Sequence, residues 1–136
     1  MRIGSTLTLA TVVLLGGCGQ TTLTSPTTVA DTDLLQREFS SLLLPGGSAS
    51  REFDIVVAGP IAVTLKTTTP GDVPVGVGVG IPRSNGSCAL SAAVDTAAGS
   101  TAQISINAAA GTYCAKVYDL GTLLAPMAFT IAISRP

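Results

Sequence analysis

From Val75 to Ile81 the chain alternates valine and glycine and closes on isoleucine, one branched apolar side chain for every bare backbone position. A period of two residues is the signature of a strand, and β-branched side chains pack well on a pleated surface. The same period recurs along the chain. Within Arg51–Ala58, Phe53, Ile55 and Val57 oppose Glu52, Asp54 and Val56. Ile61, Val63 and Leu65 oppose Ala62, Thr64 and Lys66, and Ala102, Ile104 and Ile106 alternate with Gln103, Ser105 and Asn107. Over Gly111–Asp119, Tyr113, Ala115 and Val117 turn inward against Cys114, Lys116 and Tyr118, and Met127, Phe129, Ile131 and Ile133 share a face. Glu38–Leu44 and Cys88–Ala92 complete a set of about eight strands. Pro45-Gly46-Gly47, Gly59-Pro60, Pro70-Gly71 and Asn85-Gly86 punctuate them with turn chemistry. No segment sustains a helical period, so the spacing predicts an all-β sandwich over residues 38–136. Aromatic residues are 4% of the chain and Trp is absent, so its core must be built from Val, Ile, Leu and Ala.

The N-terminus obeys a different logic. Arg2 is followed by an apolar run from Ile3 to Gly17, interrupted only by Ser and Thr. As a helix that run covers about 22 Å, short of the ~30 Å hydrocarbon core, so it reads as an export signal rather than a permanent span. It ends in Leu15-Gly16-Gly17-Cys18, which resembles the lipobox of bacterial lipoproteins: a Leu, two small residues that fit a protease cleft, then the Cys whose thiol receives a diacylglycerol. The resemblance implies a signal peptide over residues 1–17 and lipidation at Cys18, which becomes the mature N-terminus. Two or more acyl chains, at about 0.8 kcal/mol per buried CH₂, make a stable anchor without a spanning helix. Gly19 in the second position favours the outer membrane by the sorting rule of many diderm bacteria. The partner so implied is a membrane, reached through the lipid on Cys18.

Residues 18–37 carry the lipidated Cys and a stretch rich in Thr, Ser and Pro. Its core, Gly19 to Asp33, has no apolar periodicity and reads as a tether. Such a tether holds the following domain about 20 Å from the bilayer on average. Leu34 to Arg37 has room for no more than one helical turn. Once Cys18 is acylated, Cys88 and Cys114 remain, an even count in an oxidising compartment with a single possible pairing. A structural disulfide between neighbouring segments would close a loop of 26 residues and stabilise by about 3 kcal/mol in the chain-entropy picture. A redox or metal pair is the alternative, but redox pairs usually sit close in sequence, and two thiolates are half a zinc site.

The stretch LLLPGGSASREFDIVVAGPIAVTLKTT, then GTYCAKVYDLG and the terminal AFTIAISRP, resembles bacterial pre-peptidase C-terminal domains and their relatives in small exported lipoproteins. The counterparts of that family's pattern are Pro45-Gly46-Gly47, Phe53-Asp54-Ile55, Ala58-Gly59, Gly111-Thr112-Tyr113 with Val117, and Phe129-Thr130-Ile131. The resemblance covers most of residues 38–136. It implies a jelly-roll-like β-sandwich, an accessory to secreted enzymes with no catalysis of its own. No peptidase is attached here, which departs from the common arrangement.

Composition narrows the function classes. The chain has no His, which removes Ser-His-Asp and Cys-His nucleophile activation and the commonest general base. Seven basic side chains fall to six once Arg2 leaves with the signal, against eight acidic ones, a balance of −2 that attracts no nucleic acid. The Gly-rich run before Pro82 superficially matches a phosphate loop, but no helix follows it, so a strand with a glycine face covered by another segment is the expectation. Asn85-Gly86-Ser87 formally matches a glycosylation sequon and is better read as a turn. Asp54, Asp72, Asp95 and Asp119 lack the spacing of a calcium loop, and an Asp54/Asp119 catalytic dyad would need the fold to bring the two together. Tyr113 and Tyr118 fall on opposite faces, so they make no common stacking platform. No metal and no cofactor is implied. The sequence therefore points to a lipid-anchored, non-enzymatic accessory or binding module of the bacterial envelope, whose partner is an envelope protein or an extracellular polymer. The competing class is a structural envelope protein that spaces or assembles partners.

Overall fold

Alternation becomes layering when each strand hides one face. The computed structural model describes residues 36–135, and within them the chain forms β1 (Gln36–Leu43), β2 (Ser48–Ile55), β3 (Gly59–Thr69), β4 (Val75–Pro82), β5 (Cys88–Thr96), β6 (Ile104–Ala108), β7 (Gly111–Tyr118) and β8 (Met127–Ser134). They build two four-stranded antiparallel sheets, in the orders β1-β8-β3-β6 and β2-β7-β4-β5. Only the β4–β5 hairpin stays within one sheet; every other connection crosses to the opposite layer. That winding is the double-sheet jelly roll. The signal peptide, Cys18 and most of the tether lie outside the described residues.

The two inner faces meet in an aliphatic core. Leu43, Ile61, Val63, Leu65, Phe129 and Ile131 from the first sheet, and Val75, Val77, Val79, Ala115 and Val117 from the second, are essentially inaccessible to water. Each of these side chains other than Ala115 contributes about 1.5–3 kcal/mol of transfer free energy. Met127, Phe129, Ile131 and Ile133 do line one face of β8. Phe39 packs edge-on against the buried Phe129, and Phe53 stacks on Tyr113.

Several boundaries differ from the expectation. Gln36 and Arg37 belong to β1 and not to the tether or a helical turn, because they pair with Ser134 and Ile133. Val57, expected beside Ile55, is 66% exposed. Its strand ends at Ile55 because the partner β7 begins at Gly111, directly opposite, and leaves Val56 and Val57 no ladder to join. Ala102 precedes β6, whereas β5 runs on to Thr96, its small residues held by pairing with β4. Ile81 is 57% exposed although it follows the valine face, because the β4–β7 ladder ends at Gly80 with Cys114 and leaves Ile81 beyond its last rung.

The register of β4 against β5 slips between Val79 and Gly80, under the disulfide. Cys88 and Cys114 are bonded, with Cα atoms 5.9 Å apart. They were expected on neighbouring segments, but β4 runs between β5 and β7. Strands two apart in a sheet lie about 9–10 Å from one another, so a flat ladder would hold the two cysteines too far apart. The start of β5 instead rides over β4 at Gly80. A Cβ there would overlap the Ala89 carbonyl and come within 2.7 Å of the Leu90 Cα. The other two glycines are roofed by side chains of the flanking strands: Tyr118 lies over Gly76 and Leu90 over Gly78. The glycine face is thus covered, as expected, and by its own sheet neighbours.

The two kinds of cover predict two different costs. Tyr118 can swing off Gly76, whereas backbone above Gly80 has nowhere to go. Gly80→Ala should lose about 3 kcal/mol or more in urea unfolding, and Gly76→Ala about 1 kcal/mol. Equal losses would show that β5 does not cross over β4 at this point.

Candidate functional site

The strands β1 and β2 are the outer strands of their sheets and meet along one edge of the sandwich. Neither has a hydrogen-bonding partner on that side among the described residues. A cleft of about 270 Å³ opens there, lined by Arg37, Glu38 and Phe39 from β1 and by Arg51, Glu52 and Phe53 from β2, with Ile133 at its floor. The same tripeptide, Arg-Glu-Phe, therefore supplies both walls. Strand alternation explains its geometry. Phe39 and Phe53 point toward the core, and Arg37 and Arg51, two residues earlier in each strand, share that side and close the mouth. The Arg51 guanidinium lies 5.9 Å from the centre of the Phe39 ring, a cation–π contact. Glu38 accepts from the Lys66 ammonium at 2.6 Å, a half-exposed pair that contributes little to stability.

The cleft brings two arginines, two glutamates and two phenylalanines together at one edge of the sandwich. Reading the strands one at a time missed it. The signal was in the sequence, as Arg-Glu-Phe at residues 37–39 repeats at residues 51–53.

The acids singled out in the sequence do not converge. Asp54 pairs in register with Thr112 at one end of the β2–β7 ladder and accepts its hydroxyl hydrogen bond at 2.7 Å, whereas Asp119 follows the last rung, Ser48 with Tyr118. Six rungs at about 3.4 Å put some 20 Å between them, so the two make no dyad. Among the described residues no three His, Cys, Asp or Glu side chains are grouped to hold a metal ion. Tyr113 donates to the Ala109 carbonyl and stacks on Phe53, while Tyr118 covers Gly76 on the outer face, so the two rings do occupy opposite sides. Asn85 Oδ1 accepts from the backbone and hydroxyl of Ser87, and Gly86 takes a positive φ of 83°, the geometry of a turn. Cys88 and Cys114 form the disulfide and are buried; Cys18 lies outside the described residues.

Asp119 has a structural task at the far end. Its Oδ2 accepts the Gly46 amide at 2.7 Å, and Oδ1 accepts the amides of Gly121, Thr122 and Leu123 at 2.9–3.1 Å. It thereby ties the Pro45-Gly46-Gly47 turn to the β7–β8 loop. Beside that loop Pro70, Val73, Leu123, Leu124 and Met127 frame a second, apolar hollow of about 200 Å³.

No family model matches the chain, and no curated protein matches it either. What the geometry defines is a disulfide-stapled jelly roll with a charged, aromatic-walled cleft at one open edge.

The Asp119 clamp makes a pH prediction. The Gly46 amide lowers its carboxyl most; desolvation, next in size, raises it, and the amides of Leu123, Thr122 and Gly121 add to the lowering and keep it below the ordinary value of 3.8. A depressed pKa in the folded state means stability that is present above the unfolded value and lost as pH falls from there through the folded one. Asp119→Asn should therefore be less stable than the parent protein at neutral pH, with the gap closing as the solution is acidified below about pH 4. Denaturant midpoints measured across that range check it; a gap that stays constant would show that the carboxylate charge is not what the loop uses.

Proposed function

We propose that this chain is an exported, lipid-anchored accessory or binding module of the bacterial cell envelope, without catalysis of its own, that contacts an envelope protein or an extracellular polymer through the cleft between β1 and β2. The observation that carries the reading is the use of the cysteines. Two of the three are joined across the second sheet, a bond that persists in oxidising compartments, and the third is Cys18, directly after Leu15-Gly16-Gly17. The jelly-roll winding accords with the resemblance to pre-peptidase C-terminal domains. The absence of His from the sequence and the wide separation of Asp54 and Asp119 favour binding over catalysis. A mixed cleft with Arg, Glu and Phe walls favours recognition of a partner over self-assembly through a uniform apolar patch.

Cys18→Ser removes the acyl acceptor and should leave the protein unprocessed or soluble in the exported fraction. Membrane fractionation with intact-mass measurement decides this, and a processed variant that stays membrane-bound at the parent level would refute the anchor.

The cleft is tested separately. A photoreactive phenylalanine analogue at Arg51, in cells of the native host, should yield a discrete adduct with another envelope component. The same group at Ser91, on the exposed side of β5, should not. An adduct between two copies of this chain would favour the structural, assembling role instead.

A further inference from the structure

The eight strands run end to end between two sets of loops, and the charges are sorted between them. At the end where β1 begins lie the β2–β3 loop, the β4–β5 turn, the β6–β7 turn and the segment after β8. These connections carry Arg83 and Arg135 and no acid, and Arg37 enters just above them. Asp54, one rung up, is engaged by the Thr112 hydroxyl. The opposite end holds Asp72 and Asp119 in its loops and Asp95 near the end of β5, with no Lys or Arg in any of its connections.

Exposed aliphatic side chains occur at both ends, so they do not choose between them. Val56 is 75% exposed and Ile81 57% at the basic end; Leu124 is 98% exposed at the acidic end. Charge and chain entry do choose. The chain reaches the domain at Gln36, on the basic end, and only seventeen residues separate that point from Cys18. A linker of that length holds the domain at millimolar effective concentration over its anchor, so a weak contact suffices. Each Arg near an anionic leaflet adds about 1 kcal/mol, and the strands set Asp72, Asp95 and Asp119 about 25 Å away, some three Debye lengths at physiological salt, while Glu38 near this end is paired with Lys66.

We propose that the basic end of the sandwich is a membrane-docking surface. Val56, Val57 and Ile81 enter the headgroup region of an anionic leaflet, Arg83 and Arg135 contact lipid phosphates, and the acidic end faces away. This rests on the lipid anchor at Cys18, and the experiment separates the two. The chain has no Trp, so a single introduced indole is a clean reporter. The full acylated protein carrying Val57→Trp, or Leu124→Trp at the other end, is reconstituted on vesicles of phosphatidylethanolamine and phosphatidylglycerol with brominated acyl chains.

Both variants should float with the vesicles. Indole emission should shift to the blue and be quenched by bromine for Val57→Trp alone. Adding Arg83→Gln should lower the docked-to-undocked ratio about fivefold, as should replacing phosphatidylglycerol by phosphatidylcholine in the same direction. Failure of the acylated protein to float overturns the anchor and the docking with it. Flotation without quenching at position 57, or with equal quenching at position 124, overturns the docking alone. A blue shift that grows with protein density but not with bromine would assign this end to a second copy of the chain and overturn the membrane as its occupant.

Discussion

At Gly80 the backbone of β5 occupies the space where a side chain of β4 would stand. That substitution of one strand for a side chain governs the second sheet. It lets the start of β5 lean across the strand beside it, brings Cys88 within bonding distance of Cys114 and shifts the hairpin register by one residue. Glycine is usually a weak point in a strand, with no side chain to pack and more backbone freedom to lose. Here Tyr118 and Leu90 cover two of the three glycines, and the disulfide fastens the layer over the third.

The layering was legible because burial on one face leaves a period-two trace. Ile61, Val63 and Leu65, or Phe129, Ile131 and Ile133, can be assigned inward from spacing alone, and they are buried. The disulfide partners were legible from counting. What did not show was anything that depends on which strands are neighbours. Val57 continues the pattern of Phe53 and Ile55, and only the position of Gly111 in the adjacent strand ends the ladder before it. The separation of Cys88 from Cys114 by β4 is likewise a property of winding, as is the meeting of β1 with β2. The repeated Arg-Glu-Phe was visible as a string, but its meaning needed the two outer strands to face one cleft.

A small, nearly neutral chain is easily dismissed as electrostatically bland. Its formal charge of −1 conceals a sorted arrangement in the loops, with Arg83 and Arg135 at the end where the chain enters and Asp72 and Asp119 at the other. Net charge sums over the molecule, whereas a surface interacts with what lies within a Debye length. Asp119 illustrates a further division of labour. It belongs to the acidic end, yet its carboxylate is committed to four backbone amides and so organises loops.

The pairing of Gln36 with Ser134 puts the beginning of β1 and the end of β8 side by side. A load drawn through Gln36 and resisted at the opposite loops runs along the strand axis. It is shared by all the rungs between β1 and β8 at once, so the ladder resists in shear. A load drawn between the two ends of the domain would instead part the same ladder one rung at a time, as a zipper opens. The domain is thus mechanically anisotropic: stiff against tension drawn from Gln36 toward the opposite loops, and weak against tension between Gln36 and Ser134.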